Sequence, residues 1–316
     1  MKVRFITLGC KVNQYESEAM LESMLAGGFR EAGPGEEADV VVVNSCTVTA
    51  TSDQKARQAL RRAKKQNPGA VAVLTGCWPQ AFPQEAGGFL EADVVLGTGN
   101  RRQLLPRVME YFSAKQRIVD IAPHEKGEKL ERLSVSKMQG RTRAFLKIED
   151  GCDRFCSYCI IPYARGRVRS KPLEDIREEA AALAGHGYRE IVLAGINLPA
   201  YGQDLGLHLC DAGDAVCGVE GIFRGRLGSL EPEQLTKEVI GRLAAQEKLC
   251  PQFHLSLQSG CRETLRRMNR HYTPGEYRKI VEDLREAFPG CAITTDVMVG
   301  FAGETEEEFR ESLAFV

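Results

Sequence analysis

The chain has 316 residues, 43% hydrophobic and 27% charged, with a formal net charge of −1. That length fits about two domains, the composition is that of a globular protein, and the balanced charge means that any nucleic-acid surface has to be local. No run approaches the ~18 apolar residues of a membrane span. The N-terminus, "MKVRFITLGCKVNQYESE", also lacks the apolar core and cleavage site of a secretory signal. The expected location is the cytoplasm, without a membrane partner.

Residues 1–112 alternate strand and helix. "KVRFITLG" is a short strand and "NQYESEAMLESMLAGG" a helix. "ADVVVVNSC" has the continuous apolar run of a strand buried on both faces. A helix, "TSDQKARQALRRAKKQNP", stops at Asn67-Pro68. "AVAVLTGC" and "ADVVLGTG" are further strands, and "RRQLLPRVMEYF" closes the series. The rhythm predicts an α/β domain with a doubly wound parallel sheet of Rossmann or flavodoxin type. Residues 113–140 are charged and weakly periodic and read as a linker.

A second α/β series occupies 141–316. Strands are expected at "RAFLKIED", "EIVLAGIN", "GRLGSLEP", "FHLSLQSG" and "AITTDVMVGF", with helices at "PLEDIREEAAALAGHG" and "EQLTKEVIGRLAAQ", two helical stretches before Pro289-Gly290 and a last helix at "TEEEFRESLAFV". Five strand–helix units predict an incomplete (β/α) barrel. The chain stops inside an amphipathic pattern, so the expectation is a fragment of a longer protein.

Eleven cysteines in a reducing compartment point to metal ligands, catalytic thiols or buried apolar residues before disulfides. Cys10, Cys46 and Cys77 follow the first three strands, so all three lie at the carboxyl edge where open α/β sheets bind ligands. Cys152, Cys156 and Cys159 follow the first strand of the second series with Cys-x3-Cys-x2-Cys spacing. A zinc site would want a fourth Cys or His nearby, and the nearest downstream histidine is His186. A [4Fe–4S] cluster held by three cysteines keeps one iron open to a substrate or cofactor. Three buried apolar cysteines are the alternative for the first triplet. Cys210, Cys217, Cys250, Cys261 and Cys291 match no ligand spacing and read as structural or free thiols.

"GCDRFCSYCIIPYARGRVRS" resembles the signature of radical S-adenosylmethionine (SAM) enzymes, and the chain as a whole resembles their methylthiotransferase branch. The likeness includes "TLGCKVNQYESE", "VVVNSCTVT", "TGCWPQ", "GINLPAYG", "GSLEP", "LSLQSGC" and "GFAGETEEEF". It implies two [4Fe–4S] clusters. One, on Cys152, Cys156 and Cys159, binds SAM and cleaves it to a 5′-deoxyadenosyl radical; the other, on Cys10, Cys46 and Cys77, holds or supplies sulfur. A second SAM gives the methyl group, and an electron-donor protein is required. The resemblance also places Gly195, Asn197, Glu231 and Gln258 around SAM, with Gly300 and Glu304 toward its adenine. Full-length relatives carry a sixth strand–helix unit and a small RNA-binding barrel, and they more often have Gln where this chain has Glu149.

Within the family, "GCKVNQYE" and "GINLPAYG" resemble the branch acting on threonylcarbamoyladenosine in tRNA. The substrate implied is the adenosine 3′ of the anticodon, methylthiolated at C2. Branches acting on isopentenyladenosine or on a ribosomal-protein aspartate are the rivals within this chemistry, and a non-catalytic metal-binding RNA protein is the rival outside it. For tRNA phosphates the basic candidates are the helix "KARQALRRAKK", with Arg61 and Arg62, and Arg165, Arg167 and Arg169 after the cysteine loop. A solvated helix face is the plainer role of such a charge run.

Overall fold

Four consecutive valines, Val40–Val43, are fully buried because helices cover both faces of their strand. Val40 and Val42 pack in one cluster with Met20, Met24 and Leu104, whereas Val43 packs in a second with Leu60, Leu74 and Trp78, and Val41 in a third with Ala63 and Ala70. Each such side chain contributes about 1.5–3 kcal/mol of burial. The computed structural model describes residues 1–316, which form two units, Met1–Gln139 with Ile160–Arg167, and Gly140–Cys159 with Val168–Val316.

The first unit runs β1 (Lys2–Thr7), α1 (Lys11–Ala26), β2 (Arg30–Glu31), β3 (Val40–Ser45), α2 (Ala50–Gln66), β4 (Val71–Gly76), α3 (Cys77–Ala81), α4 (Pro83–Gly87), β5 (Val94–Leu96), α5 (Leu104–Ala114) and β6 (Ile118–Asp120). Its sheet has the order β2-β1-β3-β4-β5-β6, and every pairing is parallel. β6 lies within the stretch read as linker. A three-residue strand paired only along one side carries too little pattern to be seen in sequence.

In the second series β7 (Ala144–Lys147) and β8 (Glu149–Asp150) lead into the cysteine loop. Next come α6 (Ile161–Arg165), which belongs to the first unit, and β9 (Arg169–Ser170), antiparallel to β8. Then follow α7 (Leu173–Gly185), β10 (Glu190–Ala194), α8 (Leu209–Cys217), β11 (Arg224–Leu227), β12 (Ser229–Leu230), α9 (Lys237–Ala244), β13 (Gln252–Leu255), α10 (Arg262–Arg267), α11 (Pro274–Ala287), β14 (Ala292–Thr294) and α12 (Glu306–Phe315). Two parallel sheets, β11-β10-β7 and β12-β13-β14, share the segment 224–230. The expected single strand there breaks at Gly228, whose N–H bonds back to Leu193 O at 2.9 Å. Taken together the strands follow chain order, as in a partial (β/α) barrel. The helix α8 was not expected, since its sequence "LCDAGDAVC" mixes Gly and Asp, poor helix formers, among its apolar residues. No helix is long and apolar enough to cross a membrane.

Candidate iron–sulfur sites

Cys10 is the N-cap of α1, Cys46 follows β3 directly and Cys77 is the first residue of α3. All three sit at the carboxyl edge of the first sheet. Two glycines make the approach possible. Gly9 has φ +105°, and a Cβ there would stand 2.7 Å from Cys46 Cβ; Gly76 has φ +99°, and a Cβ there would meet Ser45 O at 2.4 Å.

Asn13, one turn into α1 and fully buried, ties the three loops together. Its Nδ2 donates to Leu8 O at 2.8 Å, ahead of Cys10, and to Ser45 O at 2.9 Å, ahead of Cys46. Its Oδ1 lies 3.9 Å from Cys10 Sγ and 4.0 Å from Cys77 Sγ. Arg165 of α6 donates from Nη2 to the same Oδ1 at 2.5 Å and from Nε to Cys77 Sγ at 3.3 Å. Glu16 holds that guanidinium through both carboxylate oxygens, at 2.6 and 3.1 Å, and Arg101 Nη2 lies 2.8 Å from its Oε2. Burial pushes the Cys77 thiol up to about 11, with Arg165 pulling the other way.

The second triplet lies on the loop after β8. Arg270 donates from Nη1 to Cys156 Sγ at 3.4 Å and from Nη2 to Ser256 O at 3.2 Å, and is also paired with Glu231. Asn197 Nδ2 lies 3.8 Å from Cys152 Sγ. The loop is pinned to the end of α10: Ser157 N donates to Met268 O at 3.0 Å, and Asn269 Nδ2 donates to Phe155 O at 3.0 Å. Burial pushes the Cys152 thiol up to about 12.

Behind this loop Glu149 is fully buried. Its Oε2 accepts from the N–H groups of Ile196 and Asn197, each at 2.8 Å, while its Oε1 has no partner. Burial, reinforced by neighbouring Asp150, holds the carboxyl well above the usual range. Gly195 leaves room for this carboxylate: a Cβ there would stand 2.6 Å from Glu149 Oε2.

The donor chemistry fits the expected groups. Each site offers thiols, with nitrogen donors aimed at a sulfur, the outer-shell arrangement that tunes iron–sulfur clusters. No three His, Cys, Asp or Glu side chains crowd together tightly enough to grip one ion; a four-iron cluster spans a wider triangle.

Comparison with known proteins decides the family. The radical SAM superfamily model matches residues 146–316, and a family described as uncharacterized, UPF0004, matches 2–97. The chain is 42% identical to a threonylcarbamoyladenosine tRNA methylthiotransferase of Bacillus subtilis, covering 99% of this chain and 70% of the relative. The chain belongs to the radical SAM methylthiotransferase family. A protein of the same name from Thermotoga maritima is 39% identical (99% and 71% covered). A tRNA-2-methylthio-N(6)-dimethylallyladenosine synthase of Pelotomaculum thermopropionicum is 36% identical (100% and 72%). Among solved structures, the radical SAM methyltransferase TsrM of Kitasatospora setae superposes with a TM-score of 0.71 at 14% identity, covering 99% and 70%. At that identity the likeness speaks for the fold alone.

Of the other residues singled out in the sequence, Gln258 has φ +63° and bridges backbone to Asp296 and Met298. Glu304 folds back onto the N–H groups of Gly300, at 2.5 Å, and Phe301. Arg61 is exposed, pairs with Glu91 and stacks on Phe89; Arg62 and Arg167 are exposed. Two basic candidates are corrected. Arg165 is wholly buried against Glu16 and Cys77, and Arg169 is buried with its Nη2 3.8 Å from Asp150 Oδ2; neither offers a surface to phosphate. Asn13, Glu16, Glu149 and Arg270 were not foreseen as site residues. The first two had a signal: they sit three and six residues after Cys10, on the buried face of α1, where a helix normally places apolar side chains.

Proposed function

We propose that this chain methylthiolates C2 of N6-threonylcarbamoyladenosine 3′ of the anticodon in tRNA, giving 2-methylthio-N6-threonylcarbamoyladenosine. The observation that carries the reading is that a further thiol triplet, Cys10, Cys46 and Cys77, gathers around Asn13 besides the one on the loop after β8. One three-cysteine cluster equips a radical SAM enzyme to activate carbon, and a second equips it to deliver sulfur. The choice of nucleoside rests on "GCKVNQYE" and on the 42% and 39% identity to relatives named for that substrate, against 36% to one named for the dimethylallyl nucleoside.

In this reading Cys152, Cys156 and Cys159 hold one [4Fe–4S] cluster and Cys10, Cys46 and Cys77 the other. When bound with SAM, the first cluster supplies an electron and the means to form a hydrogen-abstracting carbon radical. The chain's own residues position and tune. Arg270 puts a cation and an N–H beside the Cys156 sulfur, and Arg165 does the same for Cys77. Glu149 fixes the backbone of 196–197 and so aims Asn197 at Cys152. Gly195, Asn197, Glu231 and Gln258 surround SAM, and Gly300 and Glu304 shape the loop toward its adenine. Arg61, Arg62 and Arg167 remain as contacts for tRNA. A separate protein donates the electron, and the enzyme works in the cytoplasm.

Nucleoside analysis tests this. The reconstituted enzyme, with SAM, a reductant and tRNA bearing both modified adenosines, should convert only threonylcarbamoyladenosine. Conversion of isopentenyladenosine instead would move the chain to the rival branch, and stoichiometric zinc in place of iron would end the radical reading.

A further inference from the structure

Strand register gathers charge at the amino-terminal edge of the barrel sheet, the edge opposite the cysteine loop. β10 pairs with β11 so that Glu190 faces Arg224, and with β7 so that Ile191 faces Ala144. Arg143, just before β7, falls in the same row. Its Nη1 lies 3.5 Å from Glu190 Oε1, and Arg224 Nη1 lies 3.0 Å from Oε2. One row further out, the Arg189 guanidinium stacks 5.3 Å from the centroid of Phe223, a ring that keeps 68% of its surface exposed. With Arg141 these residues line an open depression of about 660 Å³, within the usual range of ligand pockets, roughly 300–1,000 Å³.

The charge there is not self-compensated. Glu190 is the sole carboxylate in the lining, and Arg143, Arg224 and Arg226 already share it. Arg141 and Arg189 meet no carboxylate; each stacks on an aromatic ring instead, Phe145 and Phe223. A structural ion-pair network would match its charges. In a protein of net charge −1, four arginines around one acid and an uncovered aromatic ring form a local positive site with a stacking platform. Guanidinium groups for phosphates and an open ring for an unstacked base are the chemistry by which proteins hold single-stranded or looped RNA.

We propose that this edge is an RNA clamp: backbone phosphates pair with Arg141, Arg189 and Arg224, and a base lies on the open face of Phe223. The proposal borrows from the proposed function only that the substrate is an RNA; it is independent of which nucleoside is modified.

The test measures binding of a tRNA transcript by fluorescence anisotropy over a salt series, for wild type, Arg189→Gln, Arg141→Gln/Arg189→Gln, Phe223→Ala and Phe223→Tyr. Iron content and SAM cleavage without tRNA serve as fold controls, since none of these residues touches a cysteine. The log–log salt slope should fall by about 1 for the single and about 2 for the double arginine variant. Phe223→Ala should weaken binding roughly tenfold, and Phe223→Tyr should keep it. If wild type binds and modifies tRNA while the variants match it in slope and affinity, the clamp is overturned and the proposed function stands. Loss of tRNA binding by wild type at every salt concentration would remove both. Binding of adenosine monophosphate at this edge with no response to tRNA would make it a mononucleotide site and also overturn the clamp.

Discussion

Arg165 and Glu16 form a two-pronged ion pair, at 2.6 and 3.1 Å, with both side chains fully excluded from water. Burying such a pair costs desolvation that its attraction only partly offsets, so its value shows when one partner is lost, typically about 3–5 kcal/mol. Glu16 also faces Arg101. Removing Glu16 therefore takes a carboxylate from two buried cations, Arg101 keeping Glu131 at 3.7 Å, whereas removing Arg165 leaves Glu16 still facing Arg101. Glu16→Gln is expected to destabilise the cluster-free protein more than Arg165→Gln, by about 1 kcal/mol or more. Urea unfolding of the two variants decides it; equal losses would mean that Arg101 does not share the carboxylate.

Asn13 joins the loops ahead of Cys10 and Cys46 through one amide. Asn13→Ala leaves those two carbonyls without a donor, at about 1–3 kcal/mol, and frees the loops to drift apart. After anaerobic reconstitution wild type should hold about eight irons per chain and this variant about four, the remainder on the second triplet. Full iron content in the variant would show that the thiols find their geometry without the tie.

The division of labour between the triplets can be read separately. Changing Cys152, Cys156 and Cys159 to Ala should abolish reductive cleavage of SAM. Changing Cys10, Cys46 and Cys77 to Ala should preserve cleavage and stop sulfur transfer. Loss of all cleavage in the folded second variant would refute the assignment.

The positions of these cysteines were legible in the sequence because Cys10, Cys46, Cys77 and the cluster opened by Cys152 each come after a segment that reads as a strand. What surrounds them was not. Arg165 read as surface charge because a cation after a loop is usually solvated, and its partner Glu16 lies 149 positions away in sequence. No local pattern links the two. In sequence Glu149 stands out only as a departure from Gln; its weight comes from the N–H groups of Ile196 and Asn197, 47 and 48 positions further on, which converge on it. Strand β6 and helix α8 were missed for another reason: tertiary packing, not propensity, forms them.

Arg270 places a positive charge and an N–H 3.4 Å from the Cys156 sulfur. Both stabilise the more negative, reduced state of a cluster bound there. Arg270→Gln should shift the midpoint potential of that cluster to more negative values, as followed by electron paramagnetic resonance during a redox titration, with the other cluster unmoved. An unchanged potential would leave Arg270 the task of holding Glu231 and the Ser256 carbonyl.

Glu149 gives a pH-dependent prediction with a definite sign. Its carboxyl is raised in the folded protein by burial, so between the ordinary glutamate pKa, about 4.3, and the raised value the folded state holds a proton that the unfolded chain has released. Stability therefore falls as pH rises through that window. Glu149→Gln keeps one oxygen for the N–H groups of Ile196 and Asn197 and cannot ionise, so this contribution to the slope should vanish. The variant should match wild type near pH 4 and be the more stable of the two at pH 8, by an amount that grows with pH across the window. Thermal unfolding of both proteins from pH 4 to pH 8 checks it. A variant that loses ground as pH rises would mean that Glu149 is ionised in the fold and that its charge, not its shape, holds the loop.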